Sequence, residues 1–165
     1  MSSTSDHLKV AFAGESQANR KYLAFAEKAE KEGYPQAARL FRAAAAAETI
    51  HAHNHLRALE GIQSTAENLQ VAINGEHFEA VSMYPPYLEE AAAANETMAI
   101  RTFKYALAAE IVHEKLYREM LEGLGKVQEP YPYYVCPSCG HTVGGSAPDT
   151  CPVCGVKGQR FIEVL

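Results

Sequence analysis

The chain has 165 residues, 47 % of them apolar, enough to bury the core of one medium domain with a small appendage. The formal net charge is −5 and no basic cluster interrupts it, which argues against a nucleic-acid surface. No apolar run approaches the roughly 20 residues that cross a bilayer, and the N-terminal stretch lacks the basic-then-apolar layout of a signal peptide. The expectation is a cytoplasmic protein with no membrane and no nucleic-acid partner.

Composition splits the chain. Residues 6 to about 125 are rich in Ala, Glu, Leu, Lys and Arg, whereas residues 130–165 are rich in Gly, Pro, Cys and Val. The predicted domains are 1–128, helical, and 129–165, small and irregular. They are joined by a linker, Gly125 to Tyr133, in which Pro130 and Pro132 stop any helix. Helix A is predicted from Asp6 to Glu32, ending at Gly33. Pro35 suits the first turn of helix B, which ends near Gly61. Ser64 and Glu67 make a capping box for helix C, inside which Pro85 and Pro86 predict a kink. Asn95 is the expected N-cap of helix D, which runs to about Leu121. The A–B and C–D loops are short, so each pair should be antiparallel.

The helical region repeats itself. Gly14-Glu15 recurs as Gly75-Glu76 at an offset of 61, and Tyr22, Phe41, Ala47, Glu48 and His51 recur as Tyr84, Phe103, Ala109, Glu110 and His113 at an offset of 62. Helices A and B therefore match C and D, two similar hairpins of one bundle.

Acidic residues lie on the stripes that should form a core. Helix A carries Leu8, Phe12, Ala18, Phe25 and Ala29 with Glu15 and Tyr22 among them. Helix B carries Leu40, Ala44, Ala47 and Leu59 with Glu48, His51 and His55. Helix C sets Glu76 and Glu79 among Leu69, Ile73, Ala80 and Met83, and helix D sets Glu110 and His113 among Phe103, Ala106, Leu107 and Met120. Five inward glutamates would repel one another, and each buried carboxylate costs several kcal/mol unless it is paired or protonated. Two divalent iron ions would nearly balance them. Glu48-x-x-His51 and Glu110-x-x-His113 turn through about 300° and so project from one helix face. With Glu15 and Glu76 they fit the pattern of di-iron bundles: a Glu from two helices and Glu-x-x-His from the other two. A single Glu-x-x-His is more often a solvated face; the weight lies in the repeated set. Glu79, opposite Ala18 in the repeat, breaks the symmetry and is read as a seventh ligand competing with His51. His53 is expected at the surface and His55 near the site or in the core.

The four cysteines lie together, Cys136-Pro-Ser-Cys139 and Cys151-Pro-Val-Cys154, each pair followed by glycine. Clustered thiols point to a metal rather than to disulfide staples. Two such knuckles make a closed tetrahedral site. The spacing also suits a structural zinc ribbon. Aromatic neighbours Tyr133, Tyr134 and Phe161 and the acidic bundle upstream favour iron, which passes single electrons.

In order, Gly14-Glu15-Ser16-Gln17-Ala18, Glu48-x-x-His51, Gly75-Glu76-His77-x-Glu79, Met83-Tyr84-Pro85, Ala109-Glu110-x-x-His113-Glu114-Lys115 and the two Cys-Pro-x-Cys-Gly knuckles resemble the rubrerythrin family over nearly the whole chain. The resemblance implies a mainly α fold, a ferritin-like antiparallel four-helix bundle followed by a rubredoxin-like knuckle domain with short strands. It implies peroxidase activity in oxidative-stress defence, with hydrogen peroxide reduced to water by electrons that start in NAD(P)H. It implies two irons in the bundle and one in the cysteine site, with zinc able to substitute in either. By matched positions, Glu48 and Glu110 bridge, Glu15 and Glu76 are terminal ligands, and His113 binds beside Glu76. Glu79 and His51 exchange on the other iron. Tyr22 and Tyr84 hydrogen-bond the ligand carboxylates, and Cys136, Cys139, Cys151 and Cys154 hold the third iron. The implied partners are a reductase or rubredoxin as electron donor and a second copy in a homodimer, with domain swapping open. The sequence contains no Gly-x-Gly-x-x-Gly, so the reductase is expected to be a separate protein. A ferritin-type ferroxidase or iron store, or a non-enzymatic bundle with a zinc ribbon, are the alternatives.

Overall fold

A computed structural model describes residues 3–126 and 129–165, which fall into two compact units, Met1–Gln63 and Ser64–Leu165. The expected class holds: long helices come first and a small antiparallel sheet follows. Among the described residues, no helix is long and apolar enough to cross a membrane.

The first unit is a helical hairpin, α1 (Thr4–Lys31) and α2 (Pro35–Ala58). Helix α1 begins two residues before the predicted start because Ser3 and Asp6 form a capping box. The Asp6 amide donates to Ser3 Oγ at 3.2 Å and the Ser3 amide to Asp6 Oδ2 at 3.0 Å. It ends where Gly33 takes φ +81°, a left-handed value that costs glycine little, and Pro35 then opens α2 with its φ already suited to a helix.

Small residues let the two helices approach. Ala26, Ala29, Ala38, Ala45 and Ala52 are buried, with Phe41 packed against the first three. Asn19, also buried, donates from Nδ2 to the Ala45 carbonyl at 2.7 Å and to Thr49 Oγ1 at 2.8 Å, tying α1 to α2. The broader stripe predicted to face inward is not all covered. Phe25 is 48 % and Leu40 68 % exposed, because two helices bury only the line where they touch.

The second unit opens with α3 (Thr65–Phe78), set by the predicted capping box. The Glu67 amide donates to Ser64 Oγ at 3.4 Å and the Ser64 amide to Glu67 Oε2 at 3.1 Å. A π-helical turn, Glu79–Met83, leads into α4 (Tyr84–Ala93), with the prolines in the first turn of α4. The predicted kink is thus a widened turn. In an α pattern Pro85 would clash with the Val81 carbonyl, and a wider turn relieves that contact. The repeat explains the widening. The offset between hairpins is 61 residues at Glu76 and 62 from Tyr84 onward, so one extra residue lies between them, and the π turn absorbs it without disturbing the helix beyond.

Helix α5 (Thr97–Gly123) returns antiparallel to α3 and α4. Asn95 does not cap it. Asn95 sits at φ +57° and closes α4, a conformation asparagine tolerates, while Glu96 precedes α5 without a side-chain capping bond. The predicted linker includes residues 127–128, which lie outside the described residues.

The C-terminal segment forms a three-stranded antiparallel sheet in the order β2 (Thr142–Gly144), β1 (Tyr133–Val135), β3 (Ile162–Val164), with Tyr134 opposite Val143 and Glu163. Its core is the cysteine cluster, covered by Val153, Val156 and Phe161 and by Tyr105 of α5.

Replacing Asn19 by Ala should lower unfolding free energy by about 2 kcal/mol, since a buried residue loses both cross-helix bonds. Chemical denaturation should show the drop, and an unchanged midpoint would remove Asn19 from the account.

Candidate metal centres

Three sets of side chains among the described residues bring ligand atoms within 4.8 Å of one another: Glu15, Glu48 and His51; Glu76, Glu110 and His113; and the four cysteines. The first lies in the first unit and the other two in the second.

Helix geometry builds the first set. Glu48 and His51 stand one turn apart on α2, with His51 Nδ1 2.9 Å from Glu48 Oε2, and α1 supplies Glu15. The His51 side chain is 54 % exposed and that of Glu48 18 %. Tyr22 stacks with Phe25 and Phe41 on the same hairpin.

The second set repeats this on α3 and α5 but is more enclosed. His113 Nδ1 lies 2.7 Å from Glu110 Oε2 and 3.7 Å from Glu76 Oε2, and its Nε2 lies 3.0 Å from Thr142 Oγ1. Burial, followed by the hydrogen bond to Glu110 and the charges of Glu110 and Glu79, pushes the Glu76 carboxyl from 4.5 up to about 8. Glu79, at the start of the π turn, is raised by burial and by Glu110, with His113 acting against the rise. Glu79 stands outside the tight three-residue set but within its electrostatic reach. Tyr84 is raised by burial and then by the charges of Glu79, Glu110 and Glu76, and its ring packs with Tyr87 and Phe103.

In the third set both knuckles fold alike. The Gly140 amide donates to the Cys136 carbonyl and the Gly155 amide to the Cys151 carbonyl, each at 3.0 Å, with both glycines at left-handed φ, +77° and +76°. All four cysteines are free thiols, with Cys136 and Cys154 sulfurs 3.5 Å apart and Cys139 and Cys151 the same. Burial pushes Cys136 and Cys139 up. It acts the same way on Cys154, but the Val156 amide and the other three thiols outweigh it and hold Cys154 down at about 7. One thiol is ready to ionise beside two that resist, an arrangement that a cation resolves by taking up all four sulfurs.

The chain matches the rubrerythrin family model over residues 6–121 and the model for the rubrerythrin rubredoxin-like domain over residues 134–162. This chain belongs to the rubrerythrin family. It is 41 % identical to Rubrerythrin-2 of Clostridium acetobutylicum across 96 % of this chain and 95 % of that one. It is 34 % identical to nigerythrin of Nitratidesulfovibrio vulgaris across 92 % and 82 %. A solved mixed-valence nigerythrin aligns with TM-score 0.60 and 33 % identity over 99 % of this chain and 88 % of the other.

Rubrerythrins carry a di-iron site and a rubredoxin-like iron site, and the residues here fit both. The third set offers four thiols and nothing else. In the second, a proton on Glu76 and the close approach of His113 Nδ1 to Glu110 hold together groups that a metal ion would otherwise bind. Thr142 and His141 were not anticipated from the sequence. His141 is buried on the knuckle with Nδ1 lacking a hydrogen-bond partner, and the only available signal was position just after the first Cys-x-x-Cys-Gly. His77, given no role by the sequence, pairs with Glu114, which also binds Arg118. His53 is exposed and His55 half-buried.

Between pH 4.5 and about 8 the folded, metal-free chain keeps a proton on Glu76 that the unfolded chain has released. Its stability should therefore fall as pH rises through that window. Iron displaces the proton, so thermal melts of metal-free and loaded protein at pH 5 and pH 8 should diverge most at pH 8; parallel curves would contradict the raised carboxyl.

Proposed function

We propose that the chain is a peroxidase that reduces one hydrogen peroxide to two waters, consuming two electrons and two protons. The electrons begin in NAD(P)H, pass through a separate reductase or a rubredoxin, and enter at the Cys136–Cys139–Cys151–Cys154 site. The observation that carries this reading is one chain holding two repeat-related Glu–Glu–His sets together with a four-thiol knuckle. Iron storage would give the knuckle no task, and a zinc-ribbon adaptor would give the acids none.

Glu15, Glu48 and His51 would hold one iron and Glu76, Glu110 and His113 the other. When bound, the irons act as Lewis acids and supply two electrons, the number that splits one O–O bond. The protein's part is to fix and release ligands. His113 is held at both nitrogens, by Glu110 and by Thr142. His51 is held by Glu48 alone, and its side chain is twice as exposed, 54 % against 27 %. That asymmetry supports His51 as the ligand that exchanges with Glu79. An anionic Glu79 suits an oxidised, more positive iron and a neutral imidazole a reduced one, so the exchange keeps the net charge nearly level. Tyr84, within the electrostatic reach of Glu79, Glu110 and Glu76, would hydrogen-bond the carboxylates as they move, with Tyr22 as its repeat counterpart. A cytoplasmic homodimer belongs to the same proposal.

Metal content and peroxide turnover test it together. Three irons per chain are expected, with a red protein that reductant bleaches and peroxide recolours; a fully iron-loaded protein that leaves peroxide untouched would end the proposal. Glu79→Ala should slow turnover by about tenfold to a hundredfold while iron content stays nearly complete. Equal loss of both would count against the exchange.

A further inference from the structure

Thr142 starts β2 on the knuckle, and its hydroxyl sits between two partners. Its single proton goes to the Gly140 carbonyl at 3.0 Å. The oxygen that remains faces His113 Nε2 at 3.0 Å and, with its own proton committed, has only lone pairs to offer that nitrogen. Gly140 lies against α5 at this point, where an added Cβ would come within 3.8 Å of the Ala109 side chain. Tyr105, one turn earlier on α5, covers the cysteine core. The knuckle and the Glu76–Glu110–His113 set are thus joined through one hydroxyl. The other end of the join lies within the knuckle, where the His141 amide donates to Cys139 sulfur and His141 is the residue before Thr142.

We propose that Thr142 is a positioning residue for the di-metal centre: by accepting the Nε2 proton of His113 it leaves Nδ1 as the nitrogen offered to a metal ion, and it ties that ligand to the cysteine site. A neutral imidazole has one proton for two nitrogens, so a partner that claims the N–H at one end decides which end binds metal. The second half of the proposal rests on the peroxidase reading. An electron lost by the cysteine-bound ferrous iron and gained by ferric iron at His113 would follow the hydrogen-bonded chain from Cys139 sulfur through His141 and Thr142 to the imidazole, with no net proton transfer.

The test compares full-length wild type, Thr142→Val and Thr142→Ser. Valine keeps the branched shape that suits a strand but removes the hydroxyl, and serine restores it. In zinc-loaded protein with 15N-labelled histidine, wild type should show the His113 proton on Nε2, slow to exchange with solvent. Exchange should speed by about tenfold or more in Thr142→Val and return in Thr142→Ser. A proton on Nδ1, or an Nε2 signal indifferent to the valine change, overturns the positioning role. In iron-loaded protein, recolouring of the reduced knuckle after peroxide should slow by about tenfold to a hundredfold in Thr142→Val and recover in Thr142→Ser, with unchanged iron content and knuckle absorption. An altered histidine signal with an unaltered rate overturns the electron route and leaves positioning intact. Peroxide that recolours none of the three proteins defeats the peroxidase reading and the route with it, while the zinc experiment still decides the placement of His113.

Discussion

Carboxylates gathered within a few ångströms in a half-buried setting repel one another, and the molecule is organised around that repulsion. In the second unit it shows as a proton kept on Glu76 up to about pH 8 and as raised Glu79 and Tyr84. A fold gains nothing in stability from such a cluster alone; apolar residues on the same helix faces would pack without penalty. The cluster makes sense as a site whose cost is met on binding cations. Its histidines, one turn beyond a glutamate on each of two helices, add neutral donors without adding to the repulsion.

The cysteine site follows different physics toward the same end. Its sulfurs are brought together by two copies of one turn, each closed by a left-handed glycine and a backbone bond to the first cysteine's carbonyl. Their thiols are the core of the small domain rather than an ornament on it. The acidic sets instead sit on helix faces, with the His51 side chain 54 % exposed. An enclosed site suits passing electrons at fixed geometry, and a more open one suits chemistry in which ligands change.

Much of this was legible in the sequence because it is periodic or local. The Glu-x-x-His pairs, the Ser64–Glu67 capping box and the Cys-x-x-Cys knuckles depend on short spacings and the repeat on a fixed offset; the capping box forms, and the pairs and the four thiols each come together in a compact set. What was not legible depends on contacts distant in sequence or on fine backbone geometry. Asn19 reads as an ordinary polar residue until Ala45 and Thr49 stand opposite it. Thr142 gains its meaning from a histidine 29 residues away. Asn95 could cap a helix at either end, and only its positive φ shows that it closes α4 instead of opening α5. Helical periodicity marked a wide apolar stripe on Phe25 and Leu40, whereas close packing of the hairpin selected its alanines.

The widened turn at Glu79–Met83 has a wider meaning. Two hairpins copied from one ancestor would begin with identical halves, and identical halves bind two ions alike. One added residue, taken up as a bulge, leaves every later position in phase, and where the bulge begins one half carries Glu79 in place of its twin's Ala18. That exchange of a methyl group for an acid makes the two halves chemically distinct, so that one could specialise in changing its ligands while the other kept its own.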